Sequence, residues 1–240
     1  MAAMETEQKP APFVLPLADG HDARVVGGKA VNLARLINAG FPVPDGFVVT
    51  THAFSRADRS TGALPPDVAD AVRGAYRDIG SPTVAVRSSA TAEDLAEASM
   101  AGQYETCLDL QGEQAVLDAV AKCWRSVDSQ RVRAYLKEHD IPSEKVAMAV
   151  IVQRLIPAAK AGVLFTANPR TGSQNEILIE ANWGLGETVV SGLAQPDTLV
   201  LDRATGALKS CVIADKQVWI EPGAHEARPL PDAKRKAGCL

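Results

Sequence analysis

Two cations stand in surroundings that suit phosphate chemistry. Lys29 follows Gly27 and Gly28 and opens a run in which Ala30, Leu33, Ala34 and Ile37 recur at helical spacing. Glycine backbone, unsatisfied N–H groups and an ammonium at a helix start together favour an anion. Arg87 ends an alternating segment and is followed by Ser88, Ser89 and Thr91. A guanidinium fork beside hydroxyls suits bidentate binding of a phosphate. Each cation has a plainer alternative. Residues 27–29 also read as an N-terminal turn with a solvated lysine. They are not a Walker A loop, which needs four residues between its glycines and Ser or Thr after the lysine, where this chain has Ala30. Arg87 also reads as half of a surface ion pair with Glu93 or Asp94.

Three further places could touch a ligand. Gly102 and Gln103 lead into a strand containing Thr106, so bare backbone could approach closely there, although an ordinary turn has the same composition. Gln153 closes an apolar strand, where an amide could read a nucleobase or hydroxyl; strands also simply end on polar residues. The stretch Asn182-Trp183-Gly184-Leu185-Gly186-Glu187 joins a carboxylate to flexible backbone, and it equally suits a structural turn.

Other chemistries lack their residues. His21, His52, His139 and His225 are isolated, with no zinc-ligand spacing. Ser88 and Ser89 sit in no G-x-S-x-G elbow, and Cys107 has no evident histidine partner. The four cysteines, Cys107, Cys123, Cys211 and Cys239, have no short pairing, so neither a disulfide framework nor a zinc knuckle is expected, and reduced thiols in a cytoplasmic protein are. Aromatic residues make up 5%, too few for a base-stacking platform. A net charge of −4 removes the broad cationic field of a nucleic-acid binder, so an anionic ligand must be met by local charge. The longest apolar run, residues 146–152, is far short of the ~20 that a bilayer helix needs. No nucleic-acid or membrane partner is expected.

The elements that must position these residues follow from periodicity. The 240 residues, 46% hydrophobic and 22% charged, can bury a core as one large domain or two lobes around a cleft. Residues 1–12 read as a disordered leader. Helices are expected after Gly28 and over 67–77 and 113–137, and strands over 47–50, 83–87 and 104–110. Residues 88–100, rich in Ser, Ala and Thr, suit a mobile loop. The unbroken apolar run 146–153 reads as a strand covered on both faces, with 162–166 as its hairpin partner across a turn begun at Pro157. Further short strands are expected at 176–180, 198–202, 208–213 and 217–220, with a polar tail and no element over 221–240. The class is α+β, its two lobes dividing near 100–145.

Several of these segments, in this order, resemble one family. Val26-Gly27-Gly28-Lys29-Ala30-Val31-Asn32-Leu33, Phe41-Pro42-Val43-Pro44-Asp45-Gly46-Phe47, Val84-Ala85-Val86-Arg87-Ser88-Ser89-Ala90-Thr91-Ala92-Glu93-Asp94 and Ala101-Gly102-Gln103-Tyr104-Glu105-Thr106 are similar to the nucleotide-binding domain of phosphoenolpyruvate synthase, pyruvate phosphate dikinase and rifampin phosphotransferase. So are Gly162-Val163-Leu164-Phe165-Thr166-Ala167-Asn168-Pro169 and Gly184-Leu185-Gly186-Glu187-Thr188-Val189-Val190-Ser191-Gly192, and the likeness spans about residues 20–220. The short spacer between Thr51 and Ser81 looks closer to the rifampin phosphotransferase branch.

The resemblance implies an ATP-grasp-like fold, two lobes closing on ATP and Mg²⁺. It implies phosphate contacts from Lys29 and Arg87, close backbone approach at Gly102, a hydroxyl contact from Thr106, and Gln153 near the nucleoside. It implies a kinase-class transferase that moves the β-phosphoryl group of ATP to a histidine on a swivelling domain, and then to an acceptor such as pyruvate or a rifamycin. The family's Gln-Asp-Ile-Glu strand, which holds the metal, has no match over 221–240. Metal ligands, the carrier histidine and the acceptor site are therefore expected outside these residues, on another domain or a separate chain. A non-catalytic nucleotide-binding or regulatory module, or a decayed remnant, is the alternative.

Overall fold

In the computed structural model, which describes residues 12–58, 61–91, 105–139, 142, 146–224 and 226–239, helices and strands interleave first and hairpins follow. The fold class is α+β. The chain divides into two compact units, Met1–Leu155 and Ile156–Leu240.

The first unit runs β1 (Val14–Pro16), α1 (Ala23–Asn38), β2 (Gly46–Val49), α2 (Thr51–Arg56), α3 (Pro66–Asp78), β3 (Val84–Ala90), β4 (Thr106–Leu110), α4 (Glu113–Ser126), α5 (Gln130–Glu138) and β5 (Met148–Arg154). Its strands form one antiparallel sheet in the order β1-β2-β5-β3-β4. Side-chain alternation splits this sheet into two faces. Phe47, Val49, Val84, Val86, Val150 and Val152 point into the larger core with Tyr76 and Trp124. Val48, Ala149 and Ile151 point the other way, beneath Val26, Ala30 and Val31 of α1. Strand β5 lies at the centre, which explains its unbroken apolar sequence: both faces are covered.

The second unit carries β6 (Lys160–Phe165), β7 (Glu176–Trp183), α6 (Glu187–Val190), β8 (Asp197–Asp202), β9 (Leu208–Val212), β10 (Val218–Trp219), β11 (Arg228–Pro229) and α7 (Asp232–Arg235). Strands β6 to β9 form an antiparallel meander, and β10 pairs with β11.

Four expectations need correction. The strand at 146–153 does not pair with 162–166: β5 pairs with β2 and β3, whereas β6 pairs with β7 in a different sheet. Residues 88–90 are strand, because Ser88, Ser89 and Ala90 continue the β3–β5 ladder; residues 92–100 lie outside the described residues. The helix over 113–137 is two helices, broken at 127–129, where the Ser129 hydroxyl accepts from the Val132 N–H and starts α5 anew. The stretch after Glu221 contains β11 and α7, both too short to show periodicity. Of the leader, residues 1–11 lie outside the described residues, while the Pro12 carbonyl accepts a 2.8 Å hydrogen bond from the Thr50 hydroxyl.

Candidate functional site

Helix α1 is interrupted where Lys29 enters. Asp22 caps its first turn, accepting from the Arg24 N–H at 2.9 Å, and Gly27 then adopts φ 72°, ψ 164°, a conformation that side chains rarely permit. A Cβ at Gly27 would lie 2.2 Å from the Ser89 carbonyl oxygen and 2.4 Å from its hydroxyl. The glycine therefore lets the helix press its backbone directly onto β3. On the far side of this kink the Ser89 hydroxyl accepts from the Ala30 N–H at 3.3 Å, and the Lys29 ammonium donates to the Ser88 carbonyl at 3.1 Å. Two segments about sixty residues apart in sequence are tied at this point.

Sheet register brings further residues to the same side. Arg87 stands opposite Ile151 on β5 and Thr106 on β4, and Ile151 belongs to the core beneath α1. Two residues along β3, Ala85 stands opposite Gln153. Arg87, Thr106 and Gln153 thus share the α1 face of the sheet, on which Lys29 also lies. Lys29, Arg87 and Thr106 are exposed, whereas Gln153 is buried. Its Nε2 donates to the Pro44 carbonyl at 3.0 Å, which fixes the amide orientation and leaves Oε1 as the acceptor. Gly102 lies outside the described residues.

The remaining candidates are used structurally. Asn182 is fully buried; its amide donates to the Thr188 hydroxyl at 3.1 Å and the Val218 carbonyl at 3.0 Å, and the Leu185 N–H donates to the Ile220 carbonyl at 2.9 Å. The 182–187 stretch is the end of β7, the short connection 184–186 and the start of α6, stapled to β10 through Asn182. His52 stacks on Phe13, and the His139 ring lies 4.3 Å from that of Tyr135. Burial pushes the Cys107 thiol up and the Cys123 thiol up to about 12, so neither offers a thiolate near neutrality. Among the described residues no group of three His, Cys, Asp or Glu side chains could hold a metal, and no helix is long and apolar enough to cross a membrane.

Sequence reading named Ser89 only as a hydroxyl beside Arg87 and missed its contact with α1, because a serine in a Ser/Ala/Thr-rich stretch resembles loop composition. It also missed Lys216 and Asp197, which form an ion pair at 2.5 Å with both side chains fully buried. Asp197 also accepts from the backbone N–H groups of Ala214 and Cys239 at 2.9 and 2.8 Å. No periodicity or motif marks that pair.

The family model of the pyruvate phosphate dikinase AMP/ATP-binding domain matches residues 23–63 and 56–240, past Glu221 where the motif likeness stops. A probable phosphoenolpyruvate synthase of Methanothermobacter thermautotrophicus is 40% identical over 261 aligned positions, which cover 91% of this chain and 38% of the relative. The phosphoenolpyruvate synthase of Pyrococcus furiosus is 34% identical, over 83% of this chain and 33% of its own length. A probable phosphoenolpyruvate synthase of Methanocaldococcus jannaschii is 36% identical, over 91% and 22%. The chain thus spans between about a fifth and two fifths of these curated relatives. With matched segments covering residues 23 to 240 and relatives of one name, the chain belongs to the family of the pyruvate phosphate dikinase AMP/ATP-binding domain.

Proposed function

We propose that the first unit seats the polyphosphate of ATP between Lys29 and Arg87, as the nucleotide-binding part of an ATP-dependent phosphotransferase with an ATP-grasp-like fold. The observation that carries this reading is the Lys29 ammonium anchored on the Ser88 carbonyl, one residue from Arg87, on the face that also holds Thr106 and Gln153. Two cations, a hydroxyl and an amide acceptor on one surface are what a nucleoside polyphosphate needs, because phosphoryl transfer asks mainly for positioning and charge neutralisation. ATP fits these residues. Mg²⁺ finds no carboxylate cluster among the described residues, so it would arrive on the nucleotide.

The relatives' names point to pyruvate as the final acceptor and turn the reading away from a rifamycin. The chain spans only about a fifth to two fifths of its relatives, so the carrier of the β-phosphoryl group would come from another domain or chain. Gly102 would let backbone approach the phosphates.

Calorimetric titration of the chain with ATP and Mg²⁺ tests the assignment. Wild type should give a binding isotherm, and Lys29→Ala and Arg87→Ala should each weaken it about tenfold or more, the worth of a hydrogen bond to a charged group. Wild-type heat no larger than the dilution blank, or unchanged affinity in both variants, rejects it. The same preparation should release no AMP until a phosphohistidine domain is supplied.

A further inference from the structure

Gly27 stands where the helical segment entering Lys29 would carry its N-cap residue, and it has no side chain to cap with. A cap ordinarily accepts from the second or third N–H of the helix. Here the third, that of Ala30, is satisfied from another element by the Ser89 hydroxyl. The absence of a Cβ at Gly27 is what allows this, since one would meet the Ser89 carbonyl at 2.2 Å. The same strand supplies the carbonyl of Ser88 to the Lys29 ammonium. Ser89 is fully buried on the α1 side of the sheet, opposite Ala149, and so cannot itself reach a ligand from solvent.

We propose that Ser89 is a positioning residue for Lys29: its hydroxyl caps the helical segment that starts after Gly27 and thereby fixes the Lys29 ammonium on the Ser88 carbonyl beside Arg87. This inference rests on the nucleotide reading only for its functional consequence. Removing the hydroxyl takes away the bond that ties the Ala30 N–H to β3, so the segment is free to rotate away from β3, and it takes Lys29 with it. The nucleotide then meets one fixed cation where it had met two.

Two measurements on the full chain test this. Trace acetylation with acetic anhydride, read by mass spectrometry as the Lys29 rate relative to exposed Lys137, should rise about fivefold in Ser89→Ala, the equivalent of one lost hydrogen bond. Ser126→Ala removes another buried hydroxyl, bonded to the Cys123 carbonyl, and should leave that ratio unchanged. An unchanged ratio in Ser89→Ala, or an equal rise in Ser126→Ala, overturns the proposal. For ATP and Mg²⁺, Ser89→Ala should weaken affinity about fivefold in the wild-type background and have no effect in a Lys29→Ala background. A penalty of full size without Lys29 would show that Ser89 acts generally on the fold and would also overturn it. Absence of wild-type binding heat would reject the nucleotide reading alone, and the acetylation ratio would still decide the role of Ser89.

Discussion

Each unit organises a lysine around main-chain oxygen, with opposite results. In the first, Lys29 is exposed and bonded to the Ser88 carbonyl. In the second, Lys216 is fully buried, paired with Asp197 at 2.5 Å and donating to the Ala214 carbonyl at 3.2 Å. A buried ammonium with all its partners inside the protein has nothing left for a ligand, and removing either member strands a charge away from water. An exposed ammonium that keeps solvent access contributes little to the fold. The two lysines therefore carry their charge differently: Lys29 at the surface of the first unit, Lys216 inside the second, where it holds that unit's own segments together. Asp197 ties β8 to Ala214 and Cys239, and Arg235 reinforces the same region through a bidentate pair with Asp215.

The comparison breaks most easily at Lys216. Lys216→Met should destabilise the second unit by about 3–5 kcal/mol, the usual cost of leaving one partner of a buried pair alone. A chain of two units need not unfold in one step, so the measurement must resolve them. Buried Cys239 and buried Cys123 serve as separate reporters, because a thiol reagent reaches each only when its surroundings open. Lys216→Met should accelerate labelling of Cys239 and leave Cys123 near the wild-type rate. Equal acceleration of both would mean that the pair is not a private device of the second unit.

Next in size is Gly27→Ala, expected to cost about 1–3 kcal/mol for a backbone conformation that is nearly glycine-only. The added methyl must also push against main-chain atoms of Ser89, which cannot swing aside as a side-chain tip could. Here Cys123 should be the reporter that responds. If Gly27→Ala labels like wild type, the close approach of α1 to β3 is not a constraint, and the first unit's way of holding Lys29 is looser than described.

How much of this was readable beforehand differs between residues for physical reasons. The stripe Ala30, Leu33, Ala34 and Ile37 foretold α1, and the unbroken apolar run of β5 foretold burial on both faces, because local periodicity reports which faces are covered. It does not report by what. The partners of β5 are β2 and β3, each far away in sequence, so the nearby turn at Pro157 suggested a hairpin that does not form. The type of Arg87 and its position at the end of the predicted alternation were legible, while the strand's continuation through Ser88–Ala90 was not. Serine favours loops on its own, and here the packing of Gly27 and Ala30 overrides that preference. The buried pair was illegible, since Lys216 sits in sequence between Asp215 and Gln217 like any surface lysine.

A smaller effect follows from acid. Burial alone would raise the Asp197 carboxyl, but hydrogen bonds from Lys216, Cys239 and Ala214 outweigh it and hold the group below its ordinary value. A carboxyl depressed in the folded state contributes stability that is fully present above its unfolded value, about 3.9, and is lost as pH falls through the folded one. The second unit should therefore weaken below about pH 4. The urea midpoint of Trp183 and Trp219 fluorescence, followed in a Trp124→Phe background, should fall over that range. In Asp197→Asn the midpoint should start lower at neutral pH and fall less steeply in acid. Parallel acid limbs with and without Asp197 would remove it as the source.

The smallest stability effect is the one expected of Lys29→Met. The methionine keeps most of the aliphatic stem, and the lost hydrogen bond joins an exposed ammonium to a main-chain carbonyl of β3. Surface changes of this kind stay within about 0.5 kcal/mol. The Cys123 labelling rate should thus stay at the wild-type value even as affinity for ATP and Mg²⁺ falls about tenfold or more. Loss of affinity together with faster Cys123 labelling would make Lys29 a structural lysine like Lys216, and the contrast between the two units would collapse. Unchanged stability with lost affinity would separate them fully, since the two lysines would then have failed in opposite assays.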